Sequence, residues 1–163
     1  MAICGNCFNE IKEGFACETC GYDNAENLRS HPTALRVGAV LNGCFVIGRV
    51  LGQGGFGVTY LAQELQTRKR IAVKEYFPTE YVMRVPGVSE IQFHTDQRLD
   101  AFEAGKQQFL EEARTLAQFI GDEHIVQIYR YFEENNTAYF AMEFVNGEPL
   151  NGYLTKRGNL LTV

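Results

Sequence analysis

The 163-residue sequence lacks an excess of positive charge, because 15 Lys and Arg stand against 20 Asp and Glu for a formal net charge of −5. A protein that binds chiefly to the nucleic-acid backbone usually presents a basic face, so we expect no nucleic acid among its partners. No apolar run approaches the length of a membrane span. The N-terminus also lacks the basic segment and following apolar segment of a secretory signal. These absences predict a cytoplasmic protein with no membrane segment.

Internal repeats and low-complexity tracts are absent as well, and a hydrophobic content of 45% is too high for a wholly disordered chain. The composition changes twice along the sequence. Residues 1–24 hold four of the five cysteines and little apolar material, and residues 25–43, with Ser30-His31-Pro32 and scattered polar groups, are predicted to be a linker. Residues 44–163 have the pattern of a globular domain. The sequence therefore predicts a small N-terminal module, a linker and one larger domain.

The cysteines of the small module form two Cys-x-x-Cys pairs with nine residues between them. In a chain without an export signal, this spacing favours metal over disulfides, although two disulfides or free thiols are the alternatives. Four thiolates complete a closed tetrahedral Zn²⁺ site, which is structural because no ligand position is left for water. The pattern resembles a minimal zinc ribbon. The predicted ligands are Cys4, Cys7, Cys17 and Cys20.

So small a module would not fold without its metal. Lys12 stands against Glu10, Glu13, Glu18 and Asp23 within residues 1–24, and this acidic balance disfavours contact with phosphates. We therefore expect a role in protein interaction or regulation.

The globular part alternates short apolar runs with turn residues and contains one helical pattern. Strands are predicted at 45–51, 58–63, 70–76, 125–132 and 137–144, and a helix is predicted at 99–120, ended by Gly121. Short connections predict an antiparallel five-stranded sheet with the one main helix packed against it, an α+β fold. The connection over residues 77–98 is long, and a short helix is predicted to end near Arg157.

A glycine-rich segment, residues 52–57, joins the first two predicted strands. Glycines in such a turn let backbone N–H groups approach a phosphate, because no Cβ stands in the way. The motif is weak alone, but Ala72-Val73-Lys74 follows on the next strand, and this pairing is much stronger. On the helix, at about 100° per residue, Glu112 flanks the apolar face whereas Glu111 points nearly opposite. A carboxylate beside apolar side chains needs a partner, so the helix face singles out Glu112 rather than Glu111.

These motifs and their order resemble the N-terminal lobe of a bacterial, eukaryotic-like Ser/Thr protein kinase. The resemblance implies that Lys74 contacts ATP phosphates and pairs with Glu112, and that Met142 is the gatekeeper before a hinge whose backbone binds adenine. It implies transfer of the ATP γ-phosphate to protein Ser or Thr in the full-length family. The implied ATP-binding residues are Leu51, Gly52, Gln53, Gly54, Gly55, Phe56, Gly57, Val58, Thr59, Ala72, Lys74, Met142, Glu143 and Val145.

The sequence contains neither the HRD-type loop with the catalytic Asp nor the DFG motif that binds metal. We therefore expect the chain to be inactive alone. The resemblance implies ATP as cofactor, with Mg²⁺ in the complete kinase, and as partners a protein substrate or regulator and the missing C-terminal lobe. Two alternatives stay open: a non-catalytic half-kinase and zinc-ribbon interaction module, and a nucleic-acid-binding ribbon, which the acidic balance disfavours.

Overall fold

The computed structural model describes residues 2–95 and 98–156. Its central feature is a six-stranded antiparallel sheet. The strands are β3 Val40–Leu41, β4 Phe45–Gln53, β5 Gly57–Glu64, β6 Arg70–Tyr76, β9 Ile128–Glu134 and β10 Thr137–Glu143. Their order across the sheet is β3-β4-β5-β6-β10-β9. The five long strands agree with the sequence prediction to within a few residues. The count of five was one too low, because the two-residue β3 pairs with β4 through Val40 and Val46.

The hairpin between β9 and β10 turns at two asparagines. Asn135 and Asn136 both have positive φ, 53° and 62°, as a tight two-residue hairpin turn requires and as Asn tolerates. This turn sets the register that places Tyr139 opposite Phe132 on one side and opposite Glu75 of β6 on the other.

The main helix, α2 Leu99–Leu116, packs on one face of the sheet. Its buried side chains include Phe102 and Phe109, whose rings lie 5.2 and 5.6 Å from that of Tyr76. The helix is shorter than the predicted 99–120. The N–H groups of Gln118 and Phe119 bond to carbonyls only three residues back, so the last turn tightens and the helix stops before Gly121.

The segment predicted as a linker, residues 25–43, is packed against the rest of the protein. It contains most of α1 Asn24–Ser30, whose N-cap Asp23 accepts a hydrogen bond from the Ala25 N–H. Leu35 and Leu41 are 2% and 1% exposed and belong to the main hydrophobic core. These apolar residues are spaced without a helical or strand period, so the pattern gave no sign of their burial.

The cysteine-rich segment and the long connection each contain a small hairpin. The first pairs β1 Ala2–Ile3 with β2 Glu10–Ile11, and the second pairs β7 Val82–Met83 with β8 Gln92–Phe93. A last helix, α3 Leu150–Lys156, follows the sheet. Its predicted end near Arg157, and the final part of the predicted 44–163 domain, lie outside the described residues. Among the described helices, none has both the length and the apolar character that crossing a membrane requires.

Candidate nucleotide site and cysteine cluster

One face of the sheet gathers most of the predicted site. Strand pairing places Lys74 opposite Thr59 and Phe140, and Ala72 opposite Met142. Because side chains alternate across a strand, these residues share the face on which α2 packs. Three pieces carry the predicted ATP contacts: the end of β4 and the turn (Leu51, Gly52, Gln53, Gly54, Gly55, Phe56), the start of β5 (Gly57, Val58, Thr59), and β6 with β10 and its exit (Ala72, Lys74, Met142, Glu143, Val145).

The structure brings the predicted ion pair together. Lys74 Nζ lies 3.9 Å from Glu112 Oε1, and the two side chains are 36% and 55% exposed. The ammonium also lies over the rings of Phe109 and Phe140, at 5.8 and 5.4 Å. The Lys74 ammonium therefore lies against two aromatic rings and stays partly exposed, an arrangement that suits an anionic ligand.

The neighbouring Glu111 points away from the site and pairs with Arg114 within the helix. Its side chain is 63% exposed, close to the 55% of Glu112. Burial alone would therefore not have separated the two carboxylates, and it is the direction of the helix face that selects Glu112. The functional role of the Lys74–Glu112 pair stays a prediction.

The glycine-rich turn closes over this face. The Gly54 N–H donates to the Gly57 carbonyl at 2.9 Å, and the carbonyl of Phe56 accepts from the N–H of Phe77 at 3.0 Å. At Gly57 a Cβ would lie 2.5 Å from the Glu75 carbonyl oxygen, so the strand has no room for a side chain there. Gly54 and Gly55 have open space around their Cα atoms. The loop therefore leaves its outer backbone accessible.

A cavity of about 420 Å³ lies between the turn, β6 and α2. Its lining includes Lys74, Glu112, Gly105, Tyr76 and the 79% exposed Phe56. This cavity contains the predicted ion pair, and its volume is in the range of small-molecule sites.

The hinge segment after Met142 has two backbone groups already engaged. The Glu143 N–H donates to the Gln127 carbonyl at 2.8 Å, and the Val145 carbonyl accepts from the Gly147 N–H at 3.1 Å. The Glu143 N–H and the Val145 carbonyl are therefore not free for an adenine edge. Val145 is 67% exposed.

The side chain of Val58, a predicted site residue, does not reach the site. It pairs with Glu75 and is fully buried. Because it neighbours Thr59 on the strand, it points to the opposite face. The prediction treated the glycine-rich motif as one continuous stretch, and the alternation of the strand restricts Val58 to backbone contacts.

Sequence reasoning missed a buried polar network on that opposite face. Glu75 is fully buried and accepts hydrogen bonds from the hydroxyls of Tyr60 and Tyr139 at 2.7 and 2.8 Å. The guanidinium of Arg84, 2% exposed, pairs with both carboxylate oxygens and donates to the carbonyls of Ser89 and Thr33.

Burial, reinforced by the Glu75 carboxylate, raises the pKa of both tyrosines, so they stay neutral donors. The alternation of Lys74 and Glu75 was the available sequence signal that one of these charges faces inward.

The four cysteines of the N-terminal module come together. Their Sγ atoms all lie within 4.8 Å of one another, with Cys4 and Cys20 at 3.5 Å and Cys7 and Cys17 at 3.5 Å. A disulfide would need about 2.05 Å, and the four cysteines are free. Four sulfurs about 2.3 Å from one tetrahedral Zn²⁺ would stand about 3.8 Å apart. The spacing fits a four-thiolate metal site.

Backbone hydrogen-bond donors and burial shift the pKa values of these thiols in opposite directions. The N–H of Cys20 is the largest cause that lowers the pKa of Cys17 to about 6, whereas burial raises the pKa of Cys7 to about 12. The Asn6 N–H lies 3.4 Å from Cys4 Sγ, as expected for a turn that stabilises a thiolate. Burial nevertheless raises the pKa of Cys4. The cluster thus combines sulfurs at the spacing of a metal site with backbone donors that favour the thiolate form at Cys17 and Cys20.

Comparison with known proteins agrees with this geometry. The protein kinase domain family matches residues 45–162. The chain is similar to the serine/threonine-protein kinase PknA of Mycobacterium tuberculosis, 32% identical over 130 residues that cover 77% of this chain and 26% of PknA. It is also similar to PrkC of Bacillus subtilis, 28% identical over 124 residues that cover 76% of this chain and 16% of PrkC.

A solved structure titled "PpkA-294 apo form" superimposes with a TM-score of 0.71 and 34% identity, covering 77% of this chain and 43% of that one. The chain spans about a quarter of the length of PknA.

Proposed function

The chain belongs to the protein kinase family, and we propose that residues 44–163 form its ATP-binding N-terminal lobe, preceded by a zinc ribbon in residues 1–24. The observation that carries the proposal is the Lys74–Glu112 pair, 3.9 Å apart, beside the glycine-rich turn and a cavity of about 420 Å³. In this site the Lys74 ammonium would contact the α- and β-phosphates, and Glu112 would hold it there.

The remaining parts of the site suit the rest of the nucleotide. Thr59, Ala72 and Met142 share the face beside Lys74 and would enclose the adenine ring. The backbone of Glu143 and Val145 would read its edge, and the N–H groups of the glycine-rich turn would approach the phosphates. Mg²⁺ would neutralise the phosphates in the complete kinase. Its DFG ligand and the catalytic Asp of the HRD-type loop do not occur in these 163 residues.

For the activity, we propose that the full kinase transfers the γ-phosphate of ATP to Ser or Thr of a protein substrate, and that this chain alone does not. A protein substrate or regulator and the C-terminal lobe are the proposed partners, and the cytoplasm is the proposed location. The four cysteines would hold one structural Zn²⁺, since their spacing fits a closed tetrahedral site.

Titration with Mg-ATP, followed by calorimetry, tests the nucleotide site. Lys74→Ala should lower the affinity about tenfold or more, since a charge-assisted hydrogen bond contributes about 1.5–3 kcal/mol. Lys69→Ala is the matched control, because Lys69 lies in the turn before the same strand and bonds to Tyr129 instead. A folded wild-type chain that binds no Mg-ATP, or equal affinity in the Lys74→Ala variant, would contradict the proposal.

Elemental analysis tests the metal site. We expect one zinc per chain in the purified protein and loss of that zinc in Cys4→Ser, while Cys44→Ser retains it. Cys44 is the matched control because it lies outside the cluster. Zinc content that is unaffected by Cys4→Ser would show that the cluster does not bind the metal.

A further inference from the structure

The strand that leads into the glycine-rich turn is not fully paired within the sheet. β4 shifts register against β5 between Ile47 and Val50 and again between Val50 and Gly52. At the first irregularity the N–H of Arg49 donates to the carbonyl of Gly5, at 2.8 Å, rather than to β5. Gly5 lies between the cysteines Cys4 and Cys7, so the cysteine module supplies a hydrogen bond that the sheet does not.

The module is also packed tightly against this point. A Cβ on Gly48 would lie 2.4 Å from the Gly5 carbonyl oxygen and 2.9 Å from the ring of Phe8. Phe8 is buried, and Arg49 Nε donates to Asn6 Oδ1 at 2.9 Å. The contact therefore combines backbone, side-chain and apolar components, and it has no room for a side chain at Gly48.

Helix α1 continues the support toward the turn. The buried Asn27 accepts a hydrogen bond from the Val50 N–H at 2.9 Å, and His31 Nδ1 lies 2.8 Å from the Oε1 of Gln53. Gln53 belongs to the glycine-rich segment itself. Helix and module are joined, since Asn24 accepts from the Gly5 N–H at 2.9 Å and donates to the Ile3 carbonyl at 2.7 Å.

We propose that the metal-loaded cysteine module and α1 position the glycine-rich turn by supporting β4, with Asn27 as a positioning residue, so that zinc binding and nucleotide binding favour each other. The inference rests on the proposed nucleotide site. A module this small loses its structure without metal. The N–H of Arg49 then loses its acceptor Gly5, and α1, which carries the acceptor of the Val50 N–H, loses the hydrogen bonds of Asn24 to the module. The turn becomes less ordered, and nucleotide binding must restore that order.

Amide hydrogen exchange of the full chain tests the support without any nucleotide. With Zn²⁺ bound, the amides of Arg49 and Val50 should be protected. Removing the metal with a chelator should increase their exchange about tenfold or more, whereas Phe140, in the centre of β10, keeps its protection. Unchanged protection at Arg49 and Val50 after complete zinc removal would overturn the proposal.

The variant Asn27→Ala separates the support from general unfolding. It should raise exchange at Val50 while Zn²⁺ stays bound, and it should weaken Mg-ATP binding about fivefold, the lower end of typical coupling between sites. Glu26→Ala, on the exposed side of the same helix, is the control and should change neither. Equal exchange at Val50 in the two variants would refute the role of Asn27.

The reciprocal effect of zinc and Mg-ATP on each other's binding supplies a second test of the coupling. If zinc-loaded protein binds Mg-ATP about fivefold more tightly than metal-free protein, then saturating Mg-ATP must tighten zinc binding by the same factor. Equal nucleotide affinity with and without zinc would refute the coupling. A wild-type chain that binds no nucleotide would refute the nucleotide site instead, and the exchange experiment would still decide whether the module supports β4.

Discussion

Lys74 and Glu75 are neighbours on one strand, yet they face two different environments. Lys74 is about one-third exposed and meets a half-exposed Glu112 at 3.9 Å. Glu75 is fully buried and bonds to Arg84, Tyr60 and Tyr139. The partly exposed Lys74–Glu112 pair can give up its mutual contact to a ligand at little cost. The buried network around Glu75 has no unsatisfied polar atom among the described residues. The face that bears Glu75, here called the closed face, therefore holds the sheet together. The face that bears Lys74, the open face, is available for binding.

The largest expected effect is on the closed face. Glu75→Ala leaves Arg84 buried without its counter-charge, and breaking a buried pair in this way costs about 3–5 kcal/mol. The free energy of unfolding of the zinc-loaded chain, from urea denaturation, should fall by about that amount. Lys74→Ala, one residue away, should change it by less than about 1 kcal/mol. Similar losses for the two variants would remove the contrast between the faces.

A second test concerns the approach of α2 to the open face. A Cβ on Gly105 would lie 2.1 Å from the hydroxyl oxygen of Tyr76, whose ring packs between Phe102 and Phe109. Gly105→Ala should therefore push the helix outward, costing about 1–3 kcal/mol of stability and weakening Mg-ATP binding as Glu112 moves from Lys74. Urea denaturation and calorimetry measure the two effects.

Removing the hydroxyl should relieve this clash. The double variant Gly105→Ala with Tyr76→Phe should recover part of both losses, although the ring carbon at 3.0 Å still restricts the site. Tyr76→Phe alone is the control. Additive losses in the double variant would show that Gly105 acts by another route.

The open face could be predicted from the sequence because its signals are local. The glycine-rich turn, the strand bearing Lys74 and the helix period that selects Glu112 each lie within one short segment. The partners of Glu75 on the closed face could not be predicted, because Arg84 meets Glu75 and the carbonyl of Thr33 across separate parts of the chain. A buried arginine inside a polar connection has no period or motif to mark it.

The packing of residues 25–43 was missed for the same reason. Leu35 and Leu41 are buried in the core, but the apolar residues of this segment follow neither a helical nor a strand period. Their burial depends on long-range contacts, such as the hydrogen bond from the Leu35 N–H to the Tyr60 hydroxyl at 3.0 Å. Composition alone therefore suggested a linker where the structure has a packed segment.

The smallest expected change in stability sharpens the comparison on the open face itself. Glu112→Gln should change the free energy of unfolding by less than about 1 kcal/mol, because the pair is exposed. It should nevertheless weaken Mg-ATP binding severalfold, since Lys74 loses the charge that holds it toward the phosphates. Glu111→Gln is the matched control, one residue away and paired with Arg114, and it should leave nucleotide affinity unchanged. If both variants bind Mg-ATP equally well, the helix face does not select Glu112, and the ion pair in the structure has no role in binding.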